Sequence, residues 1–202
     1  MTHGMVLVIC APSGAGKTTL ARRLLAEFPL LNFSISCTTR SPRPGEVDGK
    51  DYFFIGKQEF ELRRNQGEFI EWAEVHGNYY GTLRKTVEDA LGRGEDLLFD
   101  IDVQGAAQVK LNLPGRCAFV FIAPPSLSAL RERLEGRKSD SPETIGRRIA
   151  NARAELANAH WFDFVVINDD LERAYLEFKS AYLASRISPL RRADLLGRLA
   201  IG

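Results

Sequence analysis

The sequence is poor in cysteine, in net charge and in long apolar runs. Its 202 residues include only three cysteines, Cys10, Cys37 and Cys117, and no C-x-x-C pair. An odd number of widely spaced cysteines favours reduced thiols over a disulfide framework. The 27 Lys and Arg residues nearly cancel the 26 Asp and Glu residues, which leaves a net charge of +1. Since no global field attracts nucleic acid or anionic lipid, any anion binding must be local.

A membrane segment is also missing from the pattern. The apolar run Met5 to Ala11 is far shorter than the roughly 20 residues that a transmembrane helix needs, and it lacks the flanks of a signal peptide. The composition, with 45% apolar and 26% charged residues, is that of an ordinary globular chain. We therefore expect a cytoplasmic protein with no membrane partner and no nucleic-acid partner.

Apolar strands alternate with amphipathic helices along most of the chain. Buried strands are predicted at residues 5–10, 96–101, 117–122 and 164–167. Repeated β-then-α alternation predicts an α/β fold with a three-layer core and a parallel sheet. Short alternating stretches at 33–38, 52–55 and 68–75 predict a small, mixed α+β insertion that is partly antiparallel. Arginine-rich helical segments from Arg131 to Arg153 predict a helical lid.

The loop after the first strand has the pattern of a phosphate-binding loop. Its sequence fits G-x-x-x-x-G-K-S/T except that Ala11 replaces the first glycine. Gly14 and Gly16 let backbone N–H groups turn towards phosphate oxygens, and the helix that follows adds the positive end of its dipole. Lys17 is expected to reach the β- and γ-phosphates of ATP, and the Thr18 hydroxyl to bind Mg²⁺. The predicted ATP-binding residues here are Ala11, Pro12, Ser13, Gly14, Ala15, Gly16, Lys17 and Thr18.

Two further groups of side chains suit a phosphorylated ligand. Asp100 and Asp102 lie where the second core strand ends, and residues two apart in a strand point to the same side. Such a pair can hold Mg²⁺, partly through water, or accept hydrogen bonds from a ligand. Hydrogen-bond donors that can together clamp a phosphate monoester occur in the insertion, at Ser36, Arg40, Arg43, Tyr52 and Tyr80.

Longer motifs surround these residues. They are Ser34-Ile-Ser-Cys-Thr-Thr-Arg-Ser-Pro-Arg-Pro-Gly-Glu46, Asp51-Tyr52, Phe69-Ile-Glu-Trp-Ala73, Gly77-Asn-Tyr-Tyr-Gly-Thr82, Asp100-Ile-Asp-Val-Gln-Gly105 and Val166-Ile-Asn-Asp-Asp170. Together with the loop they resemble the guanylate kinase family, from about Val6 to Ser185, and the alanine at position 11 resembles its bacterial members. Other nucleoside monophosphate kinases share the loop but lack the central motifs. The resemblance implies a P-loop NTPase core and transfer of the γ-phosphoryl group of ATP to GMP with Mg²⁺.

The resemblance also implies individual roles by motif position. Ser36, Glu71 and Thr82 would contact the guanine base. Arg40, Arg43, Tyr52 and Tyr80 would bind the GMP phosphate, with Glu46 in support. Asp100 and Asp102 would lie between the acceptor and the metal, with Asp100 and Thr18 as metal ligands, and Asn168 would border the adenine of ATP. Lys17 and the lid arginines Arg133, Arg137 and Arg148 would act on the transferring phosphoryl group.

We divide the chain accordingly. The core is predicted to comprise residues 1–35, 83–126 and 156–187, the GMP-binding insertion residues 36–82, and the lid residues 127–155. Residues 188–202 are predicted to form an amphipathic helix with a basic face. We expect this helix to pack on its own domain or on a second copy rather than to bind an acidic partner. The protein is therefore expected to be a monomer or a homo-oligomer that assembles through this helix.

The chemistry of guanine supports the assignment of Glu71. Guanine presents N1–H and an amino group beside the acceptor O6, so one carboxylate accepts two hydrogen bonds while a hydroxyl donates to O6. Adenine presents the opposite pattern and would leave buried polar groups unpaired. Such a mismatch discriminates against adenine by a factor on the order of 10⁴. A catalytic base is not required. A phosphate monoester has a second pKa of ~6, so the attacking oxygen of GMP is mostly deprotonated at neutral pH.

Two other functions remain open from the sequence. One is a non-catalytic, guanylate-kinase-like module that binds phosphorylated protein segments through the same arginines. The other is a kinase for a different monophosphate, such as AMP or dTMP. Intact Lys17 and Thr18 count against the first, and Glu71 with Ser36 counts against the second.

Overall fold

The computed structural model describes residues 4–75, 77–136, 140–192, 196, 197 and 199. The strands are β1 (Val6–Cys10), β2 (Leu31–Phe33), β3 (Cys37–Thr38), β4 (Phe53–Phe54), β5 (Phe69–Val75), β6 (Asn78–Leu83), β7 (Asp96–Asp100), β8 (Cys117–Ala123) and β9 (Phe164–Ile167). The helices are α1 (Lys17–Glu27), α2 (Lys57–Asn65), α3 (Arg84–Gly92), α4 (Val103–Asn112), α5 (Leu127–Gly136), α6 (Pro142–Ala157) and α7 (Leu171–Arg186), with 3₁₀ turns at Ala159–Trp161 and Pro189–Arg192.

The core is a parallel five-stranded sheet in the order β2-β7-β1-β8-β9. Every residue of β1 is buried, as expected for a central strand that is covered on both faces. One face packs on α1 and α7, where Leu20, Phe178 and Tyr182 are buried, and the other packs on α3 and α4. The predicted three-layer α/β fold is thus confirmed. The three thiols, all in the described part of the chain, form no disulfide.

The insertion forms a second sheet in the order β4-β3-β6-β5, with α2 packed on it through Phe60. Its β3–β4 pair is parallel, whereas β6 pairs antiparallel with β3 and β5, so the prediction of a partly antiparallel insertion is confirmed. The single stretch predicted from Phe33 to Thr38 is wrong, because the chain divides there between the two sheets. Phe33 pairs with Leu98 in the core sheet, whereas Cys37 and Thr38 pair with β6.

The lid consists of α5 and α6, which pack on each other through Leu130, Leu134 and Ile145. Ser141 caps α6, since its hydroxyl accepts a hydrogen bond from the Thr144 N–H, and Pro142 begins the helix. The predicted C-terminal helix is described in part only. Its described start is the 3₁₀ turn Pro189–Arg192, and residues 193–195, 198 and 200–202 lie outside the described residues.

Candidate functional site

A cleft of about 570 Å³ opens at the carboxyl edge of the core sheet, between the loop after β1 and the insertion. It gathers predicted site residues from six separate motifs of the sequence. Among the predicted site residues, its lining includes Ala11, Pro12, Ser13, Gly14, Gly16, Lys17, Thr18, Ser36, Arg40, Arg43, Tyr52, Glu71, Tyr80, Asp100 and Asp102. The tertiary fold therefore brings both predicted phosphate-binding groups to one space.

The loop from Ala11 to Gly16 has the backbone geometry that its glycines predict. Gly14 and Gly16 both have left-handed backbone conformations, with φ of 95° and 92°, which a side chain would disfavour. Gly16 is the N-cap of α1 and provides no side chain to cap it, so the N–H groups of the first turn are oriented to receive an anion. Ala15, within the loop, is buried.

Lys17 and Asp100 form an ion pair across the floor of the cleft. Both side chains are partly exposed, 21% and 25%, so either is able to exchange its partner for a ligand. Glu155, from the last turn of α6, lines the same cleft. Burial raises the pKa of its carboxyl, and Lys17 opposes that shift. No motif of the sequence marks Glu155, because only the fold brings the end of α6 to the cleft.

Arg40 and Glu46 form a hydrogen-bonded corner in the insertion. The Arg40 guanidinium donates to both oxygens of Glu46, at 3.0 and 2.8 Å, and the Arg43 N–H donates to Glu46 at 2.7 Å. These contacts hold the pKa of Glu46 below its usual value, with the hydrogen bond from Arg40 as the largest cause. Arg40 also lies over the ring of Tyr52, at 5.5 Å from the centroid. Glu46 thus orients the arginine while Arg43 and Tyr80 face the cleft.

Glu71 is a carboxylic acid buried at the far end of the cleft, with 4% of its surface exposed. The Thr82 hydroxyl donates to it at 2.6 Å, and the Ser36 and Thr82 hydroxyls lie 3.1 Å apart. Burial raises the pKa of Glu71 to about 7, although the hydrogen bonds from Thr82 act in the opposite direction. The three residues predicted to read the base are therefore connected by hydrogen bonds in one small pocket.

The raised pKa of Glu71 predicts a pH-dependent cost in stability. A carboxyl whose folded pKa lies above its unfolded value stabilises the fold fully only below the unfolded pKa, and this contribution is lost as the pH rises to the folded pKa. For a rise in the pKa of Glu71 from 4.5 to about 7, the unfolding free energy falls by about 3 kcal/mol. We expect the unfolding free energy of Glu71→Gln minus that of the wild type to rise by this amount between pH 4.5 and 8, as measured by urea denaturation. A pH-independent difference would contradict the burial of an ionising carboxyl.

A smaller cavity lies on the opposite side of the loop, beside Gly14, Gly16, Thr19, Arg133, Asn168, Asp169 and Leu171. Asn168 follows β9 and is buried. The side-chain amide of Asn168 donates to the Ala15 carbonyl at 2.7 Å. The backbone carbonyl of Asn168 accepts from the Arg133 guanidinium at 2.7 Å. A Cβ at position 16 would come within 2.1 Å of the Asn168 amide nitrogen. Asn168 and Arg133 therefore border this second cavity, and Asn168 also supports the loop.

The other lid arginines differ in what the structure describes. Arg148 donates to the Ser13 hydroxyl at 3.1 Å and pairs with Asp140 at 3.3 Å, so α6 contacts the tip of the phosphate-binding loop. Arg137 lies outside the described residues, and its role stays a prediction.

The donor set near Lys17 suits a hard cation. Thr18 and Asp100 offer hydroxyl and carboxylate oxygens within one cleft, and such oxygens suit Mg²⁺, which usually adds water and substrate phosphates to one or two protein ligands. No group of three or more His, Cys, Asp or Glu side chains in the described residues is arranged to hold a metal ion. A search of the same residues also found no helix of the length and apolarity that a bilayer span needs.

Comparisons with known proteins match this chain to one family. The family model described as guanylate kinase matches residues 3–185. The guanylate kinase of Oleidesulfovibrio alaskensis is 55% identical, over 97% of this chain and 95% of that protein, and that of Nitratidesulfovibrio vulgaris is 56% identical, over 98% and 96%. The crystal structure of guanylate kinase from Anaplasma phagocytophilum has a TM-score of 0.75 at 33% identity, covering 95% of this chain and 90% of that one.

Proposed function

The chain belongs to the guanylate kinase family and is an ATP:GMP phosphotransferase, and we propose that the large cleft binds GMP while the phosphate-binding loop and the smaller cavity bind ATP. One observation carries this proposal: the buried carboxyl of Glu71, with its two hydroxyl neighbours, shares a single cleft with Lys17. A base-reading pocket and a phosphate-binding loop are thus connected by a space in which a phosphoryl group can pass between two nucleotides.

In the acceptor half, Glu71 accepts two hydrogen bonds from guanine, from N1–H and from the exocyclic amino group. Ser36 and Thr82 present hydroxyls beside it, and one of them donates to O6. Arg40, Arg43, Tyr52 and Tyr80 hold the phosphate of GMP, and Glu46 fixes the orientation of Arg40. Because the guanidinium is already oriented, little side-chain entropy is lost when the phosphate binds.

In the donor half, the backbone of residues 11–16 and the start of α1 surround the ATP phosphates. Asn168 borders the adenine in the smaller cavity, which Arg133 also lines. Thr18 and Asp100 would hold Mg²⁺, which when bound supplies neutralisation of the phosphate charge. The Lys17 ammonium leaves Asp100 and moves to the β- and γ-phosphates.

Catalysis then consists of positioning and charge stabilisation. The attacking oxygen of GMP is largely deprotonated at neutral pH, so the chain has only to hold it in line with the γ-phosphorus. Asp102, on the floor of the cleft, helps to orient the acceptor. Lys17, with the lid arginines Arg133, Arg137 and Arg148, stabilises the charge on the transferring group. Closure of the lid excludes water that would otherwise hydrolyse ATP.

Two alternatives are weaker on this geometry. A phosphopeptide-binding module would need the arginine corner but not the loop, which here keeps its left-handed glycines and its lysine. A kinase for AMP would place an acceptor nitrogen against the Glu71 carboxylate, and this leaves buried polar groups unpaired.

An acceptor panel tests the proposed function. ADP release is measured with MgATP and with GMP, dGMP, AMP, CMP or dTMP in turn. We expect turnover to be confined to the guanine nucleotides, with AMP used less efficiently by on the order of 10⁴ in kcat/KM. Comparable rates with AMP would contradict the role of Glu71, and GMP binding without any turnover would favour the binding module.

A further inference from the structure

Helix α4 makes an unusual contact with β5, the strand that carries Glu71. Because β5 is the last strand of the four-stranded sheet, the backbone groups on its outer edge need partners from outside that sheet. Gln108 of α4 supplies two of them. The side-chain oxygen of Gln108 accepts from the backbone N–H of Trp72 at 3.1 Å. Its NH₂ group donates to the backbone carbonyl of Trp72 at 2.8 Å. The two backbone groups determine the orientation of the amide, since one is a donor and the other an acceptor.

A second amide side chain repeats this contact further along the helix. Asn112 donates to the Ile70 carbonyl at 2.7 Å. Gln108 and Asn112 are four residues apart on one face of α4, a rise of about 6 Å. Ile70 and Trp72 are two residues apart in a strand, a rise of about 7 Å. The matching repeats let the amide side chains act as a substitute neighbouring strand for the outer edge of β5.

The same face of α4 also approaches the Glu71 carboxyl. Gly105 precedes Gln108 by three residues, and a Cβ at position 105 would come within 2.8 Å of Glu71 Oε2. In β5, Glu71 lies between Ile70 and Trp72, the two residues whose backbone groups form hydrogen bonds with α4. On its inner side, β5 pairs with β6, and Glu71 is opposite Thr82. The base-reading carboxyl is thus positioned by β6 on one side and by α4 on the other.

We propose that Gln108 is a positioning residue for the acceptor site, and that it holds β5, and through it Glu71, against the core by hydrogen bonds to the Trp72 backbone. The inference rests on the proposed role of Glu71 in reading guanine. Since α4 belongs to the core and β5 to the insertion, this contact sets the placement of the acceptor pocket relative to the loop that binds ATP. Loss of Gln108 is expected to weaken the use of GMP and to leave ATP binding unaffected.

Steady-state kinetics of variants tests this inference. Gln108→Ala removes both hydrogen bonds, Gln108→Met removes them but retains the volume of the side chain, and Asn112→Ala removes the neighbouring contact. We expect both Gln108 variants to raise KM for GMP about ten-fold, because the partly buried backbone groups of Trp72 lose their partners. KM for ATP should stay within two-fold of the wild type. Asn112→Ala should shift KM for GMP in the same direction by less. Gln66→Ala, at an exposed position after α2, is the matched control and should leave both KM values unchanged.

A double-mutant cycle separates positioning from a general loss of structure. If Gln108 acts through Glu71, Gln108→Ala should change kcat/KM for GMP by less than two-fold in a Glu71→Gln background. The inference is overturned if Gln108→Met behaves as the wild type, if both KM values rise together, or if the two substitutions are additive. The proposed function fails separately, if Glu71→Gln alone leaves the use of GMP unchanged.

Discussion

Replacement of Lys17 by alanine should lower kcat about a thousand-fold, because the proposed mechanism relies mainly on preorganised charge around the transferring phosphoryl group. The fold should survive the change. Lys17 is partly exposed, and its described ion-pair partner Asp100 is itself 25% exposed, so Asp100 stays hydrated when the ammonium is removed. The measurement is ADP release with saturating MgATP and GMP, and circular dichroism and the melting temperature check the fold.

The chain offers a matched control for this prediction. Lys85 on α3 is 88% exposed and pairs with Asp89 one turn along the same helix, a contact of little energetic weight. Lys85→Ala should retain the kcat of the wild type. Undiminished turnover in a pure and folded Lys17→Ala protein would contradict the assignment of the loop as the ATP site.

Replacement of Glu71 by glutamine should lower kcat/KM for GMP about a thousand-fold while KM for ATP stays within two-fold of the wild type. Glutamine has nearly the same shape, but its NH₂ group donates where guanine also donates, so a carboxylate that accepts two hydrogen bonds becomes a mismatched pair. The large effect follows from burial, because Glu71 is only 4% exposed and water cannot replace the lost partner.

Glu74 provides the control on the same strand. It is exposed near the end of β5, so Glu74→Gln removes an equal charge without entering the pocket and should leave kcat/KM for GMP unchanged. An equal loss of affinity for GMP and ATP in Glu71→Gln would contradict the role of Glu71 as the base reader. Isothermal titration of each nucleotide separates the two affinities.

Asn168 is a residue that a sequence motif identifies but whose main contact the motif does not predict. The resemblance placed it beside adenine, and the structure puts it on the smaller cavity, where its role in ATP binding stays a proposal. The hydrogen bond from its side chain to the Ala15 carbonyl could not be predicted, because it joins residues 153 positions apart. A local pattern thus identified the residue, whereas the contact that supports the loop depends on the packing of β9 beside β8.

Local sequence determines the structural features that depend only on neighbouring residues. Side-chain periodicity and backbone preference within a few residues account for the left-handed glycines of the loop and for the apolar strands β1, β7, β8 and β9. The sequence by itself therefore determined the core, the loop and the family resemblance. It did not separate β2 from β3, since no local feature distinguishes a strand that pairs with β7 from one that pairs with β6.

Tertiary structure alone decided what depends on contacts between distant segments. The pKa of Glu71 is raised by burial, Lys17 pairs with Asp100, and Glu155 reaches the cleft from α6. Gln108 lies 36 residues from the backbone that it holds. Burial, ion pairing and the satisfaction of an edge strand are properties of the folded surroundings, and the identity of a residue does not encode them. For this protein the sequence determined which chemistry is present, and the fold decided how each group is oriented, charged and supported.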